Sequence, residues 1–276
     1  MYKRTITAIL LALIIFGCSQ QKVVTKDRIM LKQNLQENTE QSYKYDITIQ
    51  NTSVISGNTQ TSTTNLAFQI TNKINKIDKD TLEITAIFDD ISGSVKTSRG
   101  MQQIPDLDKY EGDSINVKIL PDGEVEFVGK EIEEENRLLD NLKSTLSNLY
   151  AFLPGKEMKT GEKWEEESEE EGVSSKTVYT LTGFENNKKW GEVCTIESKS
   201  EISQVNDMTR NNMEIHTESS GTSSGTIYCN TESGLVAKIK GHAALEGTSE
   251  ISGNPMTGDM TIPTYVNIDT VVERIK

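Results

Sequence analysis

The chain has 276 residues, of which 29 are Lys or Arg and 42 are Asp or Glu, so its formal charge at pH 7 is −13. Such a surface repels nucleic acid and anionic lipid headgroups, because proteins bind both by neutralising phosphate with Lys and Arg. The length is sufficient to bury a hydrophobic core in one large or two small domains.

The first 17 residues have the order of a secretory signal peptide. Lys3 and Arg4 precede an apolar stretch at 5–16, and the small residue Gly17 follows it. This stretch is too short to cross a bilayer, since a spanning helix needs about 20 apolar residues. We predict that residues 1–17 are removed, and the loss of two positive charges changes the formal charge from −13 to −15.

The sequence Ile15-Phe16-Gly17-Cys18 resembles the lipobox of bacterial lipoproteins, in which cleavage falls just before the cysteine and its sulfur carries a diacylglycerol. The resemblance makes Cys18 the lipid attachment site, although Ile15 and Phe16 depart from the residues that are commonest there. Two or more acyl chains make membrane anchoring stable. Residues 18–27 are then a polar tether. An ordinary secretory signal that is cut elsewhere is the alternative.

Most of the remaining chain consists of alternating segments rich in Ile, Val, Thr and Tyr, which are typical of half-buried strands. Leu120-Pro121-Asp122-Gly123 is the strongest turn signal, because proline presets one turn residue and glycine accepts a positive φ. The clearest predicted strands are 43–50, 66–77, 81–95, 115–119, 124–128, 242–252 and 260–275.

One segment, 130–153, has the period of an amphipathic helix. Glutamates crowd its first turns, which is favourable at the positive end of a helix dipole, and Pro154 and Gly155 stop it. Its apolar stripe consists of Ile132, Leu139, Leu142, Leu146, Leu149 and Leu153. A single helix of this kind needs a sheet to cover its apolar face.

The second half of the chain echoes the first. Two strands about a polar turn occur at 65–92 and again at 176–203, and a hairpin around Gly123 is matched by a hairpin around Gly234 at a separation of 111 residues. Two different hairpins in the same order indicate an internal duplication.

These patterns predict a mainly β (α+β) fold, with a large antiparallel sheet or open half-barrel of ten or more strands and one packed amphipathic helix. We expect a single β-rich domain at 28–276. Its first half covers about 28–129, the helix 130–153 follows, and the second half covers about 156–276.

Cys194 and Cys229 remain as an even pair once Cys18 is assigned to the lipid. A signal peptide places them outside the cytoplasm, where disulfides persist. Cys194 shares a strand face with Ile196, and Cys229 shares one with Ile227, so both sulfurs are expected to point towards one core. The pair forms either a disulfide or two separate buried thiols. A zinc site is disfavoured, because neither of the 2 histidines lies at zinc-ligand spacing from a cysteine.

No residue pattern predicts an enzyme. Ser223 lies at the centre of a G-x-S-x-G match at 221–225, but strand patterning follows it where a nucleophile elbow requires a helix. His216 and His242 have no nucleophile and orienting acid that the sequence places beside them. We therefore predict neither a cofactor nor a metal.

The segment 161–172 is strongly acidic, with six glutamates between Trp164 and Gly172. It lacks the Asp and Asn spacing of a calcium loop. A solvated loop or an edge strand whose charge prevents aggregation is the preferred interpretation, with Trp164 marking where the chain re-enters the core.

The chain resembles a broad group of uncharacterised bacterial envelope lipoproteins. The resemblance is carried by Cys18, "LKQNLQENTEQSYKYDI" at 31–47, "ILPDGEVEFVG" at 119–129 and "FLPGKEMKTGEKWEEE" at 152–167. That group has no established activity. Ser19 after the cysteine resembles lipoproteins sent to the outer membrane, which implies a lipid anchor in its periplasmic leaflet.

A looser likeness is to lipoprotein carriers whose half-open β-barrel wraps a helix and holds acyl chains. This likeness concerns the fold, and it implies a hydrophobic ligand in a concave face. The alternative is a structural or interaction lipoprotein that docks an envelope protein partner through exposed strands and the acidic segment. No nucleic acid partner is expected.

Overall fold

The computed structural model describes residues 27–79, 81–120, 124–128, 145–170, 172–210, 213–253 and 259–275. The predicted signal peptide, the predicted lipid attachment site Cys18 and most of the predicted tether lie outside these ranges, as do residues 130–144 of the predicted helix. Residues 145–150 are helical and are called α1 here, and Leu107–Tyr110 form a short 3-10 helix.

Within the described ranges, most residues belong to strands. In chain order they are Arg28–Leu31 (β1), Glu40–Ile55 (β2), Asn58–Asp78 (β3), Thr81–Thr97 (β4), Gly100–Gln103 (β5), Ser114–Ile119 (β6), Val125–Phe127 (β7), Lys156–Lys159 (β8), Lys163–Glu170 (β9), Val173–Asn187 (β10), Gly191–Arg210 (β11), Met213–Asn230 (β12), Val236–Ser252 (β13) and Met260–Arg274 (β14).

Twelve of these strands form one antiparallel sheet in the order β7-β6-β4-β3-β2-β14-β13-β12-β11-β10-β9, with β5 added beside β4. β1 and β8 form a separate antiparallel pair. The two halves of the chain meet where β2 pairs with β14, and Tyr43 lies opposite Arg274 at that junction. β7 and β9 are at opposite ends of the strand order. The prediction of a large, open antiparallel sheet with ten or more strands is confirmed.

The predicted duplication has a counterpart in strand register. In the β4–β6 pair Leu82 lies opposite Ile119, and 111 residues later Val193 lies opposite Asn230 in the β11–β12 pair. The β6–β7 and β12–β13 pairs share one position at this separation, since Val117 lies opposite Phe127 and Tyr228 lies opposite Lys238. The β3–β4 and β10–β11 hairpins differ in register, because the turn between β3 and β4 has two residues whereas the turn between β10 and β11 has three. The similarity between the two halves therefore lies in how the second strand of each hairpin, β4 or β11, pairs with the strand that follows it in the sheet, β6 or β12.

The core lies on the inner face of the sheet towards one end. Inward residues of both halves are fully buried there, and the pair β1–β8 contributes to the same cluster. The apolar stripe of α1 packs against these residues with Leu146 and Leu149, so the predicted packing of a helix on the sheet is confirmed for 145–150. The helix was expected to continue to Leu153. It ends at Tyr150, and Phe152 occupies the buried position instead.

Candidate ligand cavity on the inner face of the sheet

A cavity of about 530 Å³ lies on the inner face, next to the core. Eight strands, β2 to β4 and β10 to β14, contribute lining residues, so the sheet curves around this space. Thr145, Asn148 and Leu149 of α1 border it as well. The cavity is thus a partly open concavity between the sheet and the helix, which is the place predicted for a hydrophobic ligand.

One side of the cavity is apolar. Alternate residues of β2, β3 and β14 point inwards there, because successive side chains of a strand lie on opposite faces of the sheet. Phe68 of β3 stacks on Tyr45 of β2, with ring centroids 4.5 Å apart and planes 8° apart. The other apolar residues that these three strands contribute are Ile47, Ile49, Leu66, Ile70, Ile268 and Val272.

The other side of the cavity carries hydroxyl groups. Ser175 and Thr177 of β10, Ser198 and Ser200 of β11, and Ser223 of β12 line it. The hydroxyl oxygens of Thr177 and Ser200 form a hydrogen bond of 2.8 Å. Small hydroxyl side chains leave the cavity open and supply groups that can orient a polar part of a ligand.

Glu166 of β9 lies beside this hydroxyl side. It is half-buried, it lies opposite Thr177 in the β9–β10 register, and it interacts through a side-chain hydrogen bond with Tyr179, another cavity residue. Burial raises the pKa of Glu166 to about 7, and the hydrogen bond from Tyr179 opposes this shift only in part. Burial and the neighbouring Glu166 raise the pKa of Tyr179. The carboxyl group therefore titrates near neutral pH.

Trp164 fixes the start of β9. Its ring stacks on that of Tyr179 with centroids 5.1 Å apart, and its Nε1 donates a hydrogen bond of 3.0 Å to the carbonyl oxygen of Phe152. Trp164 is buried, as predicted for a residue where the chain re-enters the core. Because strand residues alternate between faces, an inward Trp164 also directs Glu166 inwards.

The acidic segment is an edge strand and not a solvated loop. Glu165 and Glu167 point outwards, and their carboxylates lie 3.1 Å and 2.9 Å from the Lys176 ammonium group. The prediction of a charged edge strand is confirmed. Glu166 was not identified from the sequence as an inward residue. The alternation of strand side chains, applied from the buried Trp164, predicts this position.

Cys194 and Cys229 lie directly opposite each other in the β11–β12 pair, both as fully buried thiols. A hydrogen bond with Cys194 and burial raise the pKa of the Cys229 thiol. Opposite residues of antiparallel strands have Cα atoms about 4.5–5.5 Å apart, which lies within the range that a disulfide spans. The two cysteines therefore lie side by side in the core, and a disulfide bond between them stays a prediction.

The other residues considered for catalysis do not come together. Ser223 lies within β12 and faces the cavity, so it is not on a strand-to-helix turn. Strand alternation places His216 and His242 on the outer face. His216 hydrogen-bonds to Asp207 at 2.6 Å and Glu218 at 3.1 Å, and these bonds raise its pKa.

The part of the chain that the structure describes contains no group of three or more His, Cys, Asp or Glu side chains placed to hold a metal ion. None of the helices in the described ranges is both long and apolar enough to cross a membrane.

Comparison with known proteins adds a partial family match. Residues 135–236 match a family of unknown function, DUF6263. A comparison with curated protein sequences finds no match.

Solved structures give only loose superpositions. The alignment with an outer membrane channel from Pseudomonas putida F1 covers 88% of this chain and 97% of the channel, with 7% identity and a TM-score of 0.28. The alignment with Salmonella typhi OmpF in complex with daunomycin covers 86% of this chain and 98% of OmpF, with 7% identity and a TM-score of 0.27. The alignment with a DUF1329 family protein from Desulfovibrio piger covers 86% of this chain and 87% of that protein, with 11% identity and a TM-score of 0.20. Superpositions at these TM-scores carry no argument about function.

Proposed function

We propose that this chain is a non-catalytic lipoprotein of the cell envelope that binds a lipid or another hydrophobic molecule in the inner-face cavity. The observation that carries the proposal is the cavity itself, whose volume of about 530 Å³ falls within the range of small-molecule sites. Its apolar side, with Ile47, Leu66 and Phe68, offers an acyl chain a surface removed from water. Leu149 of α1 adds a further apolar side chain to the lining.

Anchoring through Cys18 would hold this cavity near a membrane. The tether at 18–27 reaches at most about 35 Å when fully extended, since each residue spans up to about 3.5 Å. The mature chain would then be held by its lipid in the periplasmic leaflet of the outer membrane, as the resemblance of the lipobox and Ser19 implies. A ligand could pass between the bilayer and the cavity without a long diffusion path.

Native mass spectrometry of the gently extracted protein tests ligand binding. We expect a lipid-sized adduct on the wild-type chain. Ala243→Phe should abolish the adduct, because Ala243 lines the cavity and the larger side chain fills it. Ala244→Phe is the matched control, since the neighbouring residue of β13 points to the outer face.

The proposal fails if no adduct accompanies the wild-type chain, or if Ala243→Phe and Ala244→Phe retain the adduct equally. Far-ultraviolet circular dichroism of both variants establishes that the sheet has formed. Cell fractionation of a Cys18→Ser variant tests the anchor, and we expect this variant to leave the membrane fraction.

A docking function is the second candidate, and the position of β9 favours it. β9 ends the strand order of the large sheet, and its outward face carries Glu165 and Glu167. A strand at the end of a sheet can pair with a strand of another protein. Cross-linking in cells, compared with a variant in which the glutamates of 165–171 are replaced by glutamine, tests this function. Recovery of the same partners by the variant counts against it.

A further inference from the structure

We propose that the cavity selects amphiphiles whose polar part is uncharged and rich in hydrogen-bonding groups, of which monoacylglycerols are one class, over amphiphiles with a carboxylate or phosphate. This inference rests on the proposed function, because it specifies the ligand class of the same cavity. It follows from three features of the lining: its two chemically different sides, the hydrogen-bonding capacity of the hydroxyl side, and the charge beside it.

The two sides of the cavity match the two parts of an amphiphile. The side formed by β2, β3 and β14 offers mainly Ile and Phe side chains, whereas the side formed by β10 to β12 offers Ser and Thr hydroxyls together with Ile202 and Ile227. A pure hydrocarbon would cover those hydroxyls and deprive them of hydrogen bonds with water, which is unfavourable. A ligand with a polar part can replace the lost hydrogen bonds.

The hydroxyl side has unused hydrogen-bonding capacity. Each hydroxyl has one donor and two acceptor positions, so the bond between Thr177 and Ser200 leaves one of these two residues with a free donor. Ser198 and Ser223 form no side-chain hydrogen bond with the described residues. Both donors and acceptors are therefore available, as an alcohol or ester group requires.

At pH 8, above the pKa of about 7 of Glu166, the charge beside the hydroxyl side is negative. Glu166 lies opposite Thr177, and no Lys or Arg of the described residues lines the cavity. His242 is among the lining residues, but strand alternation directs its ring to the outer face, where its Nδ1 lies 2.8 Å from an Asp269 oxygen. An anionic headgroup at the hydroxyl side would be partly desolvated beside a carboxylate without a counter-charge, and both effects oppose binding.

A competition experiment tests the selectivity. The full-length chain, extracted in a mild detergent at pH 8, is incubated with equal concentrations of 1-monomyristoylglycerol and myristate, which share one acyl chain. Native mass spectrometry then gives the ratio of the two complexes. We expect the monoacylglycerol complex to exceed the myristate complex by about tenfold, which corresponds to a difference of about 1.4 kcal/mol in binding free energy.

Two variants separate the contribution of the charge. Glu166→Gln removes the inward charge, and we expect it to lower the ratio by about threefold or more. Glu165→Gln is the matched control, because Glu165 points outwards and pairs with Lys176. Its ratio should equal that of the wild type.

The outcomes distinguish this inference from the proposed function. A wild-type chain that binds myristate as well as the monoacylglycerol overturns the selectivity but keeps the lipid-binding function. An unchanged ratio in Glu166→Gln overturns the assigned role of its charge. If neither lipid forms a complex and no cellular lipid accompanies the chain, the proposed function fails and the selectivity with it.

Discussion

Glu166 and Tyr179 form a hydrogen-bonded pair on the inner face of the sheet, where β9 and β10 run side by side. The Tyr179 hydroxyl donates to the Glu166 carboxylate, yet burial dominates and raises the pKa of Glu166 to about 7. The carboxyl group of this residue therefore differs from those of Glu165 and Glu167, which point to solvent and lie beside Lys176.

We predict that Glu166→Gln stabilises the protein at pH 8 and has little effect at pH 5. The pKa of Glu166 rises from an ordinary value of 4.5 to about 7 on folding, so the folded chain binds a proton more tightly than the unfolded chain. The stability that this proton contributes is fully present below pH 4.5 and is lost as the pH rises through 7. After a discount for its partial exposure, we expect a gain of about 1 kcal/mol at pH 8.

Urea unfolding of the wild type and variant at pH 5 and pH 8 measures this difference. Glu165→Gln is the control, and its effect should not increase towards pH 8. A Glu166→Gln variant that is less stable than the wild type at pH 8 would contradict the raised pKa.

A second prediction compares two buried tyrosines. The Tyr150 hydroxyl donates a hydrogen bond of 3.1 Å to Oε1 of Gln41, whereas the buried Tyr45 hydroxyl has no partner among the described residues. We expect Tyr150→Phe to cost about 1 kcal/mol and Tyr45→Phe to be neutral or stabilising by up to about 1 kcal/mol, since the latter removes a polar group that folding leaves unsatisfied.

Chemical unfolding of the two single variants checks this contrast, because each loses the same atom from the same residue type. Equal losses of stability in both variants would contradict it. A larger loss in Tyr45→Phe would show that its hydroxyl has a partner in solution.

The strands near the core were predictable because one face is buried there. At Cys194 and Ile196 the alternation of apolar and polar residues identifies the inward positions, and both are fully buried. The stripe of Leu146 and Leu149 identified the packed face of α1 in the same way. Period and burial coincide in these segments, so the sequence pattern was sufficient.

The strand ends far from the core were not predictable in this way. β3 was expected from residue 66 but begins at Asn58. Its first residues were missed because they are Thr, Ser, Gln and Asn, which give the strand no apolar face to recognise. A strand was expected to begin at His242, yet β13 is continuous from Val236 to Ser252. The pairing of β2 with β14 depends on contacts between distant parts of the chain, which local patterns do not contain.

The same reasoning explains why the candidate site was predictable only in outline. A concave face with a helix follows from the sheet and the amphipathic stripe. The hydroxyl side does not, because Ser175, Ser200 and Ser223 look like ordinary solvent-exposed strand residues until the strand order brings them to one cavity.

A third prediction concerns Gly93 of β4. A Cβ atom at this position would lie 2.8 Å from Cδ1 of Ile104 and 2.9 Å from Cδ1 of Leu107, so the absence of a side chain lets these two residues pack against the strand. We expect Gly93→Val to cost about 1 kcal/mol through overpacking, at the low end of such effects because both contacts are with the ends of flexible side chains. Gly183→Val is the matched control in β10, where a Cβ atom meets nothing within 4 Å. Thermal unfolding of both variants measures the difference, and equal melting temperatures would contradict the close approach at Gly93.

The fourth prediction is that Cys194 and Cys229 are joined by a disulfide when the chain is recovered from an oxidising compartment. Their direct opposition in the β11–β12 register satisfies the distance requirement, and both thiols are buried in one core. Intact mass should be lower by two hydrogen atoms than that of the reduced chain, and iodoacetamide should not label either residue in denaturant without a reductant. Reduction should lower the free energy of unfolding by about 3 kcal/mol, because the bond closes a loop of moderate length in the unfolded chain.

The double variant Cys194→Ala/Cys229→Ala is the control for the disulfide, and its stability should not depend on the reductant. Alkylation of both cysteines in the unreduced wild type would show that they persist as two thiols. Their burial then explains their presence, since a thiol in an apolar core packs as a small hydrophobic group and its raised pKa makes it unreactive.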